Sequence, residues 1–290
     1  MTLYERIARA REALAGAGVP ADEAAGDAEV LARHALGWDL AQLVARWRDA
    51  PPPEFEERYA PLLQRRMRRE PVSHIVGHRE FWGLEFEVTP DVLTPRPETE
   101  LIVEAAVAAY RDRPPSGIID MGTGSGCLAV ALATEFPTAS VTATDLSEPA
   151  LDVARRNALR AHVAERIAFV NADLVPPGAT AELVVSNPPY ISTADAASLP
   201  PEVREHEPHL ALFAGPGGMH VYERLLPACA SAVTAGGRLI LEVGYDQHAA
   251  VSALARAHGF ELERSLRDLQ GIIRTLVLKR PEPSALSPEP

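Results

Sequence analysis

The chain of 290 residues lacks several features that mark extracellular, membrane-embedded or phosphate-binding proteins. Its only cysteines are Cys127 and Cys229, which is too few for a disulfide framework or a four-thiolate zinc site. No apolar run approaches the length of about 18 residues that crosses a bilayer. Its only lysine is Lys279 and its net charge is −12, so broad attraction to phosphate backbones is disfavoured. These absences favour a reduced, intracellular, cytoplasmic protein without membrane or direct nucleic-acid partners.

The composition, 47% hydrophobic, indicates a globular chain that the sequence pattern divides into four parts. Residues 1–73 predict a small helical bundle, because apolar residues recur there at helical spacing. Residues 74–97 predict a β-hairpin and a proline-punctuated connector. Residues 98–280 predict an α/β domain, and the proline-rich residues 281–290 a disordered tail.

Strands and helices alternate after residue 98, which predicts a mostly parallel, doubly wound (Rossmann-like) sheet. The last two predicted strands are separated only by RDLQG, which is too short for a helical crossover, so this C-terminal pair should be antiparallel. The seven predicted strands are 117–122, 140–145, 166–173, 181–187, 238–244, 260–266 and 272–279.

A glycine-rich turn, DMGTGSG, joins the first of these strands to a helix. Its glycines let the backbone turn tightly and approach a ligand at a helix N-terminus. The dinucleotide fingerprint needs a further glycine three residues after the second, which this loop lacks. We therefore expect S-adenosylmethionine rather than NAD to contact the loop residues, which are Gly122, Thr123, Gly124, Ser125 and Gly126.

Acidic residues close the next two predicted strands, at the edge where ligands bind in such sheets. Asp145 is expected to accept hydrogen bonds from both ribose hydroxyls, and Asp173 from the adenine amino group, with the Leu174 N–H facing a ring nitrogen. Helix capping and turn chemistry are the alternative roles for both aspartates.

The segment Asn187-Pro188-Pro189-Tyr190 is the strongest chemical signal, and it ends the fourth strand. The prolines lack N–H groups, so the segment is rigid and its carbonyls can accept hydrogen bonds. The Asn187 side-chain oxygen adds a second acceptor, and Tyr190 can stack on a planar group. Two such acceptors grip both hydrogens of a conjugated –NH₂ and aim its lone pair at a methyl donor.

The glycine loop, TATD and VSNPPY resemble class I S-adenosylmethionine-dependent N-methyltransferases. The chain is especially similar to the peptide chain release factor glutamine methyltransferase family (PrmC/HemK). That similarity extends over PVSHIVGHREFWGLEFEVTPDVLTPRPETE, VREHEPHLALFAGPGGM, ILEVGYDQ and DLQGIIR.

The resemblance implies methylation of the side-chain amide nitrogen, N5, of the glutamine in the Gly-Gly-Gln motif of peptide chain release factors, with S-adenosylhomocysteine as product. It implies cofactor contacts from the glycine loop, Asp145, Leu174 and Asn187, and a glutamine pocket formed by Asn187–Tyr190. Leu174 departs from the family, where an aromatic residue is frequent. The helical residues 1–73 are expected to recognise the release factor, and the protein to act as a monomer.

Other functions remain possible at this point. An NPPY enzyme acting on adenine N6 of DNA or guanine N2 of RNA shares the same pocket chemistry, although the acidic charge opposes it. An NAD-linked oxidoreductase and a binding module without chemistry are further alternatives. No metal is expected, and His206 and His209 are interpreted as part of a lid near the substrate, which Arg96 is suspected of ordering.

Overall fold

The computed structural model describes residues 1–282, so the tail predicted at 281–290 lies outside the described residues from position 283 onward. The α-helices are α1 (Leu3–Gly16), α2 (Ala21–Leu36), α3 (Leu40–Ala45), α4 (Phe55–Met67), α5 (Val72–Val76), α6 (Glu100–Ala109), α7 (Cys127–Glu135), α8 (Glu148–Arg160), α9 (Pro201–His206), α10 (His209–Leu212), α11 (His220–Ala232) and α12 (His248–Ala257). The strands are β1 (His78–Phe81), β2 (Leu84–Glu87), β3 (Gly117–Met121), β4 (Ser140–Asp145), β5 (Ile167–Asn171), β6 (Ala181–Ser186), β7 (Val233–Glu242), β8 (Glu261–Arg267) and β9 (Ile273–Lys279). Within this range, none of the helices is long and apolar enough to cross a bilayer.

The chain forms two compact units, and the first is helical. It comprises residues 1–78 together with residues 200–206, which contain α9. Helix α1 shows why the sequence folds this way: Leu3, Ile7, Ala10 and Leu14 are all buried, and Thr2 caps the helix in a capping box with Glu5. The helical spacing predicted for this region is therefore confirmed.

An arginine on α4 explains why residues 200–206 belong to the helical unit. Arg66 is 2% exposed, and its guanidinium contacts Asp27 Oδ2 at 2.6 Å and Glu202 Oε1 at 3.0 Å. Arg69 also pairs with Glu202, at 2.5 Å. The predicted boundary at residue 73 missed this return of the chain, because an ion pair between residues 66 and 202 leaves no periodic signal in the sequence.

The second unit, which in the described part of the chain comprises residues 79–199 and 207–282, contains a seven-stranded sheet in the order β5-β4-β3-β6-β7-β9-β8. Strands β5, β4, β3, β6 and β7 are parallel, whereas β9 pairs antiparallel with both β7 and β8. The predicted mostly parallel, Rossmann-like sheet with an antiparallel C-terminal pair is confirmed. The strand order reverses beside β3, which places the ligand-binding crevice of such a sheet at the carboxyl ends of β3 and β6.

Helices cover both faces of this sheet. One apolar cluster packs α6, α7 and α8 against one face, with Ile118 and Val185 among its buried residues. A second packs α11 and α12 against the opposite face, with Leu239 and Leu241. Because the central strands β3 and β6 are covered on both faces, each has four consecutive buried residues rather than an alternating pattern.

The β1–β2 hairpin is closed by Trp82 and Gly83, whose φ angles are 53° and 70°. Two consecutive residues in the left-handed region are typical of a type I′ hairpin turn. The Trp82 backbone N–H donates to Glu100 Oε1 at 2.7 Å, which fixes the hairpin to the start of α6.

Candidate active site

The glycine loop and the NPPY segment leave the sheet side by side. Strands β3 and β6 are paired in parallel, and Met121 lies opposite Ser186. Ser186 Oγ also donates to the Met121 carbonyl at 2.8 Å. Gly122 and Asn187, the residues that follow these two, therefore begin neighbouring loops at the carboxyl edge. The two motifs, 65 positions apart in the sequence, meet at one site.

Glycine occurs in this loop for two different structural reasons. Gly126 has φ 81° and caps α7, and a Cβ there would lie 2.9 Å from the Cβ of Ala154. This glycine is needed for close packing of the loop against α8. Gly122 and Gly124 have φ 67° and 53°, but a Cβ on either would meet nothing within 4 Å. Their open sides leave room for a ligand to approach the backbone.

Asp120 holds the loop from inside the protein. Its Oδ2 accepts hydrogen bonds from Thr123 Oγ1 at 2.6 Å and from the Ala129 N–H at 3.1 Å. The residue is fully buried, and burial raises the pKa of its carboxyl group to about 7. Asp120 does not line the cavity described below, and its two hydrogen-bond partners lie in the loop and in α7.

Asp145 lies at the end of β4, as predicted, and contacts the glycine loop and the start of α8. Its Oδ2 accepts the Gly124 N–H at 2.9 Å, and its Oδ1 accepts the Ser147 N–H at 2.9 Å. Each carboxylate oxygen has a further lone pair for a hydroxyl donor. The turn chemistry that was the alternative role is thus present, and the predicted ribose contact stays a prediction.

Asp173 does not close the third strand, because β5 ends two residues earlier at Asn171. Its carboxylate forms an ion pair with Arg224 of α11, a partner that the sequence did not indicate. Leu174 has φ 66°, and its carbonyl accepts from Thr144 Oγ1 at 2.7 Å. Asp173, Leu174 and Arg224 all line the cavity. The predicted adenine contacts of Asp173 and Leu174 stay predictions.

Asn187 is oriented by a neighbour that the sequence analysis missed. Its Nδ2 donates to Thr99 Oγ1 at 3.0 Å, which leaves its Oδ1 as an acceptor. Thr99, Asn187, Pro188 and Pro189 line the same cavity as the glycine loop.

Tyr190 lies differently from the other residues of the motif. Its ring is not part of the cavity wall, and its hydroxyl donates to Glu242 Oε1 at 3.2 Å. Burial next to Glu242 raises the pKa of the phenol far above its ordinary value. The predicted stacking of Tyr190 on a planar group stays a prediction.

Glu242 is a buried carboxyl group at the end of strand β7, directly after the buried residues Leu239, Ile240 and Leu241. Burial raises its pKa to about 7, against the lowering effect of hydrogen bonds from Thr99 and Tyr190. A single acid in the run RLILEV is the signal that could have identified it from the sequence, since a buried charge is costly unless it has a function or partners.

Two segments complete the cavity wall. Residues 90–96 of the connector lie on it, as do Leu210 and Phe213 from the region predicted to form a lid. Arg96 pairs with Glu207 at 2.5 Å, and Glu207 is 4% exposed. This pair joins Arg96 to the region predicted to form a lid, and the role of Arg96 in ordering that lid stays a prediction. In residues 1–282, histidine, cysteine and carboxylate groups do not cluster in threes as a metal site requires.

The cavity enclosed by these elements has a volume of about 430 Å³, which lies in the range of small-molecule sites. Among its charged wall residues, Arg96 and Arg224 are each paired with a carboxylate. Asp145 and Asp91 add negative charge. The wall therefore suits a ligand with cationic and hydroxyl groups better than a polyphosphate.

Comparison with solved structures shows the fold. The hMettl16 catalytic domain, in complex with a MAT2A 3′UTR hairpin, aligns with a TM-score of 0.56 at 16% identity and covers 72% of this chain and 79% of that one. A ribosomal protein L11 methylase from Lactobacillus delbrueckii subsp. bulgaricus aligns with a TM-score of 0.50 at 21% identity, over 67% of this chain and 84% of that one. The model of the methyltransferase small domain matches residues 99–199. The fold and the paired loops define an S-adenosylmethionine-dependent methyltransferase.

Sequence relatives specify the family. The model of the PrmC N-terminal domain matches residues 5–77. A release factor glutamine methyltransferase from Cereibacter sphaeroides is 44% identical over 92% of this chain and 95% of its own length. One from Moorella thermoacetica is 40% identical over 97% of this chain and 100% of its own length. The chain belongs to the release factor glutamine methyltransferase family.

Proposed function

We propose that this protein transfers a methyl group from S-adenosylmethionine to the side-chain amide nitrogen of the glutamine in the Gly-Gly-Gln motif of peptide chain release factors. The observation that carries the proposal is the placement of Asn187, with its Oδ1 available, beside the glycine loop that follows β3. The substrate places the reaction in the cytoplasm, where translation ends.

The residues of the cavity fit S-adenosylmethionine. Gly122 and Gly124 leave open space beside the backbone, and Asp145 retains acceptor capacity for ribose hydroxyls. Leu146 and Leu174 supply apolar surface for the adenine. When bound, S-adenosylmethionine supplies an electrophilic methyl group on a positively charged sulfur.

Asn187 and Pro188 prepare the nitrogen of the substrate. An amide nitrogen is a poor nucleophile because its lone pair is delocalised into the carbonyl group. Asn187 Oδ1 accepts one of its hydrogens and the Pro188 carbonyl accepts the other, which favours a pyramidal nitrogen with a localised lone pair. The same two acceptors stabilise the positive charge that develops on the nitrogen. The nitrogen becomes acidic only as the new bond forms, so its proton can leave to water without a strong base.

Charge supports a protein substrate over a nucleic acid. The net charge is −12, and the arginines on the cavity wall are already paired with carboxylates. A nucleic-acid enzyme needs unpaired basic side chains around its target base.

The test is methyl transfer with the purified protein, labelled S-adenosylmethionine and one of three acceptors. These are a bacterial release factor, the same factor with the glutamine of its Gly-Gly-Gln motif replaced by alanine, and duplex DNA or ribosomal RNA. We expect label only in the unaltered release factor, with one peptide heavier by a CH₂ group in mass spectrometry. Label in the altered factor would place the methyl group elsewhere, and label only in nucleic acid would refute the proposed substrate.

A further inference from the structure

Glu242 receives hydrogen bonds from two directions although it follows three buried apolar residues at the end of β7. Its Oε2 accepts from Thr99 Oγ1 at 2.7 Å, and its Oε1 accepts from Tyr190 OH at 3.2 Å. The residue is 2% exposed. Its own backbone carbonyl accepts from Tyr222 OH at 2.9 Å, which fixes the end of β7. A carboxylate held in this way is a rigid double acceptor at a depth where water does not compete.

The polarity of the hydrogen-bond chain follows from that carboxylate. An ionised carboxylate only accepts hydrogen bonds, so Thr99 must donate its single hydroxyl hydrogen to Glu242. Thr99 Oγ1 can then only accept from Asn187, at 3.0 Å, and the Asn187 NH₂ group must face Thr99. The Asn187 Oδ1 is thereby directed away from Thr99. The orientation of the Asn187 amide is therefore set by the Glu242 carboxylate, which is the final acceptor in this series of hydrogen bonds.

The other end of the NPPY segment is held to the same strand end. The Tyr190 hydroxyl donates to Glu242, and the Tyr190 carbonyl accepts from Gln247 Nε2 at 3.0 Å. Gln247 Oε1 in turn accepts the Gly244 N–H at 3.1 Å. Hydrogen bonds therefore connect the first and last residues of the motif to residues 242–247. Asn187 is connected through Thr99, and Tyr190 directly.

We propose that Glu242 is a positioning residue that acts through Thr99 to keep the Asn187 oxygen turned toward the amide nitrogen of the substrate and that holds Tyr190 in place. This inference rests on the proposed function, because it explains how one rotamer of Asn187 presents an acceptor. If the hydrogen bonds from Asn187 through Thr99 to Glu242 ran in the opposite direction, Asn187 would present its NH₂ group to the –NH₂ of the substrate. Two donors would then face each other.

The test uses matched variants of Thr99, assayed with a release factor at a pH where Glu242 is ionised. Thr99→Val keeps the shape and removes the hydroxyl, so Asn187 loses its acceptor and its amide is free to turn. We expect kcat to fall about 10²-fold, the scale on which loss of one preorganised hydrogen-bonding group acts. Thr99→Ser restores the hydroxyl and should recover most of that loss. Binding of S-adenosylhomocysteine, measured by calorimetry, should change little in either variant.

Glu242→Gln tests the final acceptor in the series of hydrogen bonds from Asn187 through Thr99. Glutamine replaces one of the two carboxylate oxygens with an NH₂ group, so the separate oxygens that now accept from Thr99 and from Tyr190 are no longer both present. We expect a similar fall in kcat, and the double variant with Thr99→Val should be no slower than the slower single variant, because both changes break one chain. Thr134→Val removes a hydroxyl that donates only to Val130 O within α7 and serves as the control without an effect on kcat.

The outcomes separate the two proposals. If the unaltered protein does not methylate the release factor, the proposed function fails. If it does, but Thr99→Val keeps its kcat, or Thr99→Ser is as slow as Thr99→Val, the positioning role is wrong. Should Glu242→Gln fail to fold, the Thr99 pair still decides the matter. Equal losses of thermal stability and cofactor binding in both Thr99 variants would indicate a merely structural role and overturn the inference.

Discussion

The Asp145 carboxylate accepts the backbone N–H of Gly124 at 2.9 Å, so the residue that ends β4 also holds the middle of the loop that follows β3. The loop and the predicted ribose acceptor therefore share one side chain. A change at Asp145 alters the shape of the loop as well as the acceptor, and cofactor affinity should respond to both effects.

Asp145→Asn should weaken binding of S-adenosylhomocysteine about 10-fold or more. An asparagine side chain has one acceptor oxygen, so its NH₂ group must face the N–H of Gly124 or of Ser147, and hydrogen bonds to charged groups contribute about 1.5–3 kcal/mol. Calorimetric titration measures the change. Asp152→Asn, which alters an exposed aspartate paired with Arg155, is the matched control and should bind normally. Equal affinity of both variants would contradict the role of Asp145.

Asn187→Ala should lower kcat about 10²- to 10³-fold because it removes an acceptor that acts on the nitrogen as charge develops there. Thermal stability should remain close to that of the unaltered protein, and binding of S-adenosylhomocysteine should fall less than kcat, because Asn187 is only one of several residues expected to contact the cofactor. Steady-state kinetics with a release factor, together with calorimetry, provide the measurement. Turnover that persists while cofactor binding weakens would show that Asn187 contacts the cofactor and not the substrate amide.

Gly126→Ala should destabilise the protein more than Gly178→Ala. Both glycines have positive φ, 81° and 78°, so each substitution carries a backbone cost of about 1–2 kcal/mol. Only at Gly126 does the new Cβ also lie 2.9 Å from the Ala154 Cβ, which adds about 1–3 kcal/mol of overpacking. Urea denaturation of the two variants compares the costs. Equal losses would mean that α8 yields easily to a methyl group.

Arg66→Met should lower the free energy of unfolding of the helical unit by about 3 kcal/mol. The change removes the cation that Asp27 and Glu202 share, although Glu202 keeps its pair with Arg69. Arg65→Met is the control on the same helix. Arg65 pairs with Glu70, but its side chain is 38% exposed, and pairs of this kind contribute about 1 kcal/mol or less. Chemical denaturation followed by circular dichroism distinguishes the two. A smaller loss for Arg66→Met than for Arg65→Met would contradict this assignment.

The stability of the unaltered protein should fall, relative to Glu242→Gln, as the pH rises from about 4.5 to about 7. Burial raises the pKa of Glu242 from 4.5 to about 7. Thr99, Tyr190 and Arg274 oppose this shift, and Glu98 adds to it.

A carboxyl group whose pKa is raised by folding stabilises the folded state while it is protonated, and this contribution is lost as the pH rises through the folded value. The relative change should be on the order of 3 kcal/mol. Urea denaturation at a series of pH values measures it. Asp120 also has a raised pKa, but it is present in both proteins and cancels in the difference. A difference that does not vary with pH would show that Glu242 ionises normally.

The sheet was predictable because its central strands β3 and β6 are largely apolar segments bounded by turn residues, and because RDLQG is too short for a crossover. The meeting of Gly122 and Asn187 at one edge followed from parallel pairing alone. The end of β5 was misjudged, because the strand was predicted to continue to Asp173, whereas it ends at Asn171 and the next backbone N–H, of Ala172, donates to the Asp145 carbonyl.

The side chains that hold the site residues in position could not be predicted in the same way. Thr99 lies in PRPETE and Glu242 in RLILEV, 143 positions apart, so no spacing rule connects them. Arg224 contacts Asp173 from a helix whose pattern indicates only an amphipathic face. Side-chain pairs of this kind depend on the packed fold, which the periodicity of one segment does not specify.

The return of the chain to the helical unit at residues 200–206 determines how this protein can be divided for experiments. A truncated version that begins at Arg79 would retain Glu202 but not Arg66 or Arg69. Glu202 of α9 would then lack both of the arginines with which it forms ion pairs. Separate expression of the catalytic portion therefore calls for redesign of that helix, and a single protease cut after His78 would not make the helical unit a self-contained fragment.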